Sequence, residues 1–342
     1  MTSSTSHSEA MPKSHSQTKR PAPWLALLLV GCAVLAWLLS AAYTWFLDPE
    51  MKFWTAAARQ KLEWVEKMRA EHGYVIGVVG GSTTTFGIDA EYIEREYGLP
   101  VANLGLHFGM GPACVGFGLS ALGRGDVLVL SLEPAMLVGD KPGATPLGSK
   151  LSLLLGRPEM NSWLEDNSMP SAIQSLGSLQ PGGYHVATMI GKLALGQPLY
   201  RYTIDKMRPG GLQTTDERRF IAEEMDLSPK EEKMKLSPGG AAFLNHANMK
   251  AEKRGIKVLY LLPWSYSAPE MAEPRRKANE IFLAEILERV PVLREPSLGV
   301  HDSVEDFSDS GQHLTAKAAR SRSRFLAETL IGSKELGQKP EP

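Results

Sequence analysis

Ser82 stands in Val78-Val79-Gly80-Gly81-Ser82-Thr83-Thr84-Thr85-Phe86, directly after an apolar run, residues 74–79, that reads as a buried strand. A serine on a glycine-rich turn between a strand and a helix is placed to attack an acyl carbon. The chain must then also supply a base, a group to orient it and donors for an oxyanion. No lysine follows the glycines as it would in a phosphate-binding loop. Of the eight histidines, His7 and His15 lie in the N-terminal tail, and His72, His185 and His246 fall in segments without other site-like residues. His313 is the best placed of the rest, in Glu305-Asp306-Phe307-Ser308-Asp309-Ser310-Gly311-Gln312-His313-Leu314-Thr315, a turn carrying acids just before a helix. An aspartate a few residues ahead can turn back to hold the second ring nitrogen, fixing the tautomer and stabilising the imidazolium. Asp309, Asp306 and Asp302 all offer that carboxylate, and His107 is the reserve base.

The elements that must position these groups read as α/β. Strands are expected at 74–79, 101–104, 126–132 and 257–262, with a weaker one at 290–293, and helices at 90–97, 112–122, 240–254, 274–288 and 314–331. Near-continuous apolar strands separated by helices argue for a central parallel sheet covered on both faces, a three-layer α/β/α sandwich. Ligands in such sheets bind outside the carboxyl ends of the strands. That edge collects Gly80-Gly81-Ser82 after the first strand, Asn103 through Gly109 after the second, Ser131 and Glu133 after the third, and Pro263, Trp264 and Ser265 after the fourth. Asn103 offers a side-chain amide, and Gly105 and Gly109 allow close approach of backbone N–H groups. Together with the N–H of Ser82 these are the expected oxyanion donors. Trp264 and Tyr266 would serve as a stacking platform for a sugar ring, or simply pack.

The N-terminal third places this sheet beside a membrane. Residues 1–20 are a polar tail with little to bury, read as disordered. No charge appears from 21 to 47, and Trp24 to Phe46 would span about 35 Å as a helix, enough for a hydrocarbon core of about 30 Å. Lys13, Lys19 and Arg20 precede it and Asp48 and Glu50 follow it. The tail is therefore expected in the cytoplasm and the remainder outside, anchored in a bacterial inner membrane. Leu29-Val30-Gly31-Cys32 resembles a lipoprotein cleavage box, but the apolar run continues past it. Residues 48–73 read as an amphipathic linker helix, 74–134 and 239–332 as the α/β domain, 135–238 as an insertion or lid, and 333–342 as a flexible end.

At 342 residues, 43% hydrophobic and a net charge of −1, the chain suits one large domain and carries no basic footprint for nucleic acid. Its two cysteines and scattered histidines show no zinc spacing, and no cofactor or metal is expected.

Taken together, Gly80-Gly81-Ser82, Asn103-Leu104-Gly105 through Gly109, and Asp309 to His313 resemble, in order, conserved blocks of the SGNH/GDSL hydrolases. The anchor and the His-Leu-Thr ending are similar to that family's membrane-tethered branch, whose members work beside membrane-bound O-acyltransferases in alginate O-acetylation and teichoic-acid D-alanylation. The resemblance covers residues 74–132 and 257–331. It implies a serine esterase or O-acyltransferase using Ser82, His313 and Asp309 on an acyl ester of an envelope glycan, with a membrane-bound O-acyltransferase as a possible partner. Three positions depart from the pattern: Gly81 stands where the family has Asp, Glu133 falls near its Asn, and Asp309 precedes His313 by four residues instead of three. The alternative those departures allow is a degenerate domain that binds glycan or scaffolds an envelope complex.

Overall fold

The computed structural model describes residues 23–139, 145–157, 160, 183–215 and 234–333. The expected tail and much of the expected insertion lie outside these. Strands β1 (Ile76–Gly80), β2 (Val101–Asn103), β3 (Val127–Ser131), β4 (Lys257–Leu261) and β6 (Val292–Leu293) form one parallel sheet in the order β2-β1-β3-β4-β6. A two-stranded parallel ribbon, β5 (Ser265–Tyr266) with β7 (Val300–His301), lies beyond its carboxyl edge. All five strands of the main sheet begin within three residues of their sequence-predicted starts.

The strands are apolar on both sides, and successive residues feed opposite faces. Val79, Leu128, Leu130, Val258 and Tyr260 join the core under helices α2 (Pro49–His72), α5 (Ala113–Ala121), α8 (Pro238–Lys253) and α9 (Pro269–Leu287). Ile76, Val78, Val127, Val129, Leu259 and Leu261 join the core under α4 (Ala90–Tyr97) and α10 (Ala316–Gly332). The result is the expected three layers. The order of strands reverses between β1 and β3, so a crevice opens there at the carboxyl edge. Ser82 follows β1 and Glu133 follows β3.

Helix α1 (Pro23–Phe46) has 24 residues, is long and apolar enough to cross a membrane, and buries none of its most apolar window in the protein. Asp48 then caps α2, its carboxylate accepting from the N–H groups of Glu50 and Met51. The first turns of α2 lie at the carboxyl edge of the sheet, where Phe53 meets Tyr202 (5.9 Å) and Trp54 meets His107 (5.4 Å). Its last turns lie at the amino edge, where Arg69 reaches the carbonyl of Ala121 (3.0 Å) and Asp126 (2.6 Å) just ahead of β3. Helix α2 therefore runs antiparallel to the strands, and the carboxyl edge faces back toward the end of α1.

Midway along α2 the side chain of Lys61 is fully buried. It has three acceptors: the carbonyl of Gly211 (2.6 Å), the carbonyl of Asn103 (3.0 Å) and the Asn103 side-chain oxygen (3.3 Å). Burial without a carboxylate partner drives its amine well below the usual lysine range. A base with a depressed folded-state pKa contributes stability fully above the unfolded value, and loses it as pH falls toward the folded one. The wild type should therefore gain stability relative to Lys61→Met as pH rises toward the unfolded-state lysine value of about 10. Urea unfolding along that rise checks this, and a constant difference between the two proteins would contradict it.

Candidate active site

Ser82 opens α3 (Ser82–Thr85), a single turn that follows β1 through Gly81. The turn is held by a carboxylate from the neighbouring strand. Glu133, buried, accepts from the N–H of Gly81 (3.2 Å), the N–H of Thr83 (3.4 Å) and the Thr83 hydroxyl (2.7 Å). A Cβ on residue 81 would lie 2.4 Å from the Glu133 carboxylate, so only glycine fits there. Gly81 and Glu133, far apart in sequence, thus form one structural unit beneath the serine turn. Behind it the guanidinium of Arg322 donates to the carbonyl of Thr83 (3.3 Å) and to the Ser131 hydroxyl (2.7 Å). Burial pushes Arg322 down to about 10, against the pull of Glu295 and Glu133, so it stays charged at neutral pH. Burial also raises Glu133, outweighing its hydrogen bonds to Thr83 and the backbone.

The histidine arrives from the loop before α10. Phe307 and Leu314 bridge its two arms, Ser308 N–H donates to the carbonyl of His313 (2.8 Å), and Thr315 N–H donates to that of Asp306 (2.9 Å). Within this closed loop the four-residue spacing brings Asp309 Oδ1 to 2.7 Å from His313 Nδ1. Asp306 and Asp302 make no hydrogen bond to the ring, so of the three candidate acids the structure pairs Asp309. The Asp309 side chain has no exposed surface. Burial acts to raise it, but the hydrogen bond and charge of His313, then Tyr202 and Arg201, outweigh this and hold its carboxyl below the usual range.

His313 reaches the helical turn that Ser82 opens by packing on Phe86. The imidazole stacks on the Phe86 ring, with centroids 4.1 Å apart at 15°. Phe86 follows Ser82 by four residues on the same side of the turn. Ser82 and His313 are not hydrogen-bonded to each other. The Ser82 hydroxyl and His313 Nε2 each lack a hydrogen-bond partner among the described residues, while Nδ1 is committed to Asp309. Ser82 retains 9% of its surface, enough to be reached from solvent.

Of the expected oxyanion donors, three point elsewhere. The Asn103 amide donates to the carbonyls of Thr84 (2.9 Å), Thr85 (3.3 Å) and Ile88 (2.8 Å), and so ties β2 to the serine turn. Gly105 N–H donates to Asn103 Oδ1 (3.0 Å), and a Cβ at 105 would strike Thr85 N at 2.5 Å. That glycine serves packing against α3. Gly109 N–H donates to His107 Nδ1 (2.9 Å). The N–H of Ser82 is left, a first-turn donor with no acceptor among the described residues. His107, the reserve base, caps the turn Phe108–Met110; burial, with the charge of His313, lowers it to about 4.

The segment after α7 (Gly183–Ala194), inside the expected insertion, crosses this edge. Tyr202 donates to Asp309 Oδ2 (2.9 Å), Arg201 pairs with the same oxygen, and Gln213 N–H donates to the carbonyl of Thr85 (3.0 Å). These partners lie more than a hundred residues from Asp309 in sequence, and nothing in residues 199–214 marks them in advance. If the His313–Asp309 pair serves an ester reaction, Tyr202→Phe should lower its rate about 10-fold, the equivalent of about 1.4 kcal/mol from one hydrogen bond to a charged group. Steady-state rates with a chromogenic ester check it, and an unchanged rate would exclude a positioning role.

Beside the turn a cavity of about 100 Å³ is lined by Thr83, Glu133, Trp264, Tyr266 and Gln312 among others. Trp264 is no free platform. It stacks on His301 (3.7 Å), its Nε1 donates to Glu295 (2.7 Å), and it stays buried where it lines the cavity. Among the described residues, one three-residue group has metal-ligand chemistry: Glu71, His72 and Glu94, partly exposed at the amino edge, away from Ser82.

No protein-family model matches the chain, and no curated protein or solved structure is significantly similar to it.

Proposed function

We propose that the chain is a membrane-anchored serine esterase or O-acyltransferase acting outside the cytoplasm on an acyl ester of a cell-envelope glycan. The observation that carries this reading is the His313–Asp309 pair, with Asp309 fixing Nδ1 and His313 stacked on Phe86, four residues after a serine whose hydroxyl is unpartnered among the described residues. In the reaction, Ser82 Oγ bonds to the ester carbonyl carbon as its proton passes to His313 Nε2. The Ser82 N–H, at the start of α3, donates to the oxyanion. His313 returns the proton to the departing alkoxide, leaving an acyl-serine. A water or glycan hydroxyl then gives its proton to His313 and bonds to the acyl carbon, and His313 passes that proton to Ser82 Oγ as the acyl–serine bond breaks. The ordered resemblance to SGNH blocks and the apolar helix α1 support the same reading, with residues 48–333 extracytoplasmic.

A second reading has one observation in its favour. With Asn103, Gly105 and Gly109 engaged elsewhere, the oxyanion has few donors, as in a domain that binds glycan without chemistry. Pre-steady-state hydrolysis of a chromogenic acetyl ester separates the two. The enzyme reading predicts a burst stoichiometric with protein, followed by a slower steady rate. No release above buffer would favour the binding module.

A further inference from the structure

Helix α7 packs one side against the end of α1. Its Met189 sulfur accepts the Tyr43 hydroxyl at 2.5 Å, and Lys192 donates to the carbonyl of Leu199 (3.2 Å). An adjoining stripe is apolar and exposed: Val186, Ile190 and Leu193, spaced four and three apart, are 38%, 62% and 61% exposed, and Leu195 just beyond is 72% exposed. Among the exposed positions from 186 to 194, Thr188 is the one polar side chain. Trp45, Phe46 and Leu47 are likewise exposed where α1 ends. A short helix, apolar outward and attached beside the exit of an apolar 24-residue helix, has the form of an interfacial helix.

The edge that carries Ser82 lies at the same height. Phe53 comes five residues after the Asp48 cap, about 8 Å along α2. It packs on Tyr200 (5.5 Å) and on Tyr202, which holds Asp309. The strands run back toward α1, so their carboxyl ends and α7 both lie toward the end of that helix.

We propose that α7 lies in the headgroup region of the bilayer, with Val186, Ile190 and Leu193 immersed, and holds the Ser82 edge of the sheet at the membrane surface. The proposal rests on α1 spanning the bilayer. It does not depend on the catalytic reading.

Spin labels on the full-length protein test it in vesicles of phosphatidylethanolamine and phosphatidylglycerol. The background carries Cys32→Ser, and buried Cys114 is left in place. Labels go on Leu35→Cys in α1, Ile190→Cys and, as a second variant of the same face, Leu193→Cys. Glu71→Cys, at the far end of α2, is the aqueous reference. Collision with oxygen should exceed collision with a water-soluble nickel chelate at residues 35, 190 and 193, with the order reversed at 71. Overturning results are nickel-accessible labels at 190 and 193 beside a lipid-exposed label at 35, or labels there shielded from both reagents, which would mean a protein covers α7. A nickel-accessible label at 35 would remove the anchor and the proposal together. Loss of esterase activity would leave all these ratios unmoved.

Discussion

In the Ser82→Ala protein, ester turnover is expected to fall about 10⁴-fold with the fold intact, because the serine turn is held by atoms other than the Ser82 hydroxyl. Glu133 binds Gly81 and Thr83, Asn103 binds the carbonyls of Thr84, Thr85 and Ile88, and Arg322 binds that of Thr83. Removing an oxygen with no hydrogen-bond partner should change the melting temperature little. His313→Ala should cost a similar factor, since it removes the proton acceptor for the same step. The double variant should be no slower than either single one, because groups that act as a unit are not additive. Rates of chromogenic ester hydrolysis, with circular dichroism melts beside them, check all three. Multiplicative losses would mean that the two residues act separately.

The second large effect is on stability. Glu133→Ala leaves the N–H groups of Gly81 and Thr83 and the Thr83 hydroxyl without their acceptor in a closed interior. At about 1–3 kcal/mol for each unsatisfied buried group, partly relieved by water entering the cavity, the loss should reach roughly 4 kcal/mol. That is a large part of the usual 5–15 kcal/mol of a domain, and about 10 °C in melting temperature. Glu133→Gln keeps an acceptor oxygen and should lose less than half as much. The sign with pH follows from the raised carboxyl. Its stability contribution is complete below the unfolded-state value and is lost as pH rises through the folded-state one. The advantage of wild type over Glu133→Gln should therefore shrink from acid toward neutral pH. Denaturant unfolding of the two proteins at matched pH values would contradict the assignment if the gap widened.

The sequence made the sheet and the acid–base pair legible for different reasons. Apolar runs such as Val127–Ser131, buried on both faces, have no competing periodicity, so their positions follow from hydrophobicity alone. Asp309 and His313 share one short loop, and a local contact can be read from spacing. What spacing left open, the choice among Asp309, Asp306 and Asp302, was decided by the bridge between Phe307 and Leu314 that closes the loop. The oxyanion donors were not legible, because Asn103, Gly105 and Gly109 have suitable chemistry and differ only in whether that chemistry is already engaged. Three carbonyls of the serine turn capture the Asn103 amide, and no single-chain pattern announces this. Tyr202 and Arg201 were hidden for another reason: they reach Asp309 across a long, irregular segment with no motif of its own. Glu133 did carry a signal, a carboxylate two residues past the end of an apolar strand, at the edge where the polar residues gather.

The central claim, that Ser82 is a nucleophile activated by His313, is tested most directly by a fluorophosphonate probe on the membrane-reconstituted protein, with the adduct located by peptide mass spectrometry. The result expected is one phosphonylated residue, Ser82, with labelling abolished in Ser82→Ala and slowed at least 100-fold in His313→Ala, as loss of a general base requires. An unlabelled wild type, under conditions where a known serine esterase reacts fully, or equal labelling of wild type and Ser82→Ala, would contradict it.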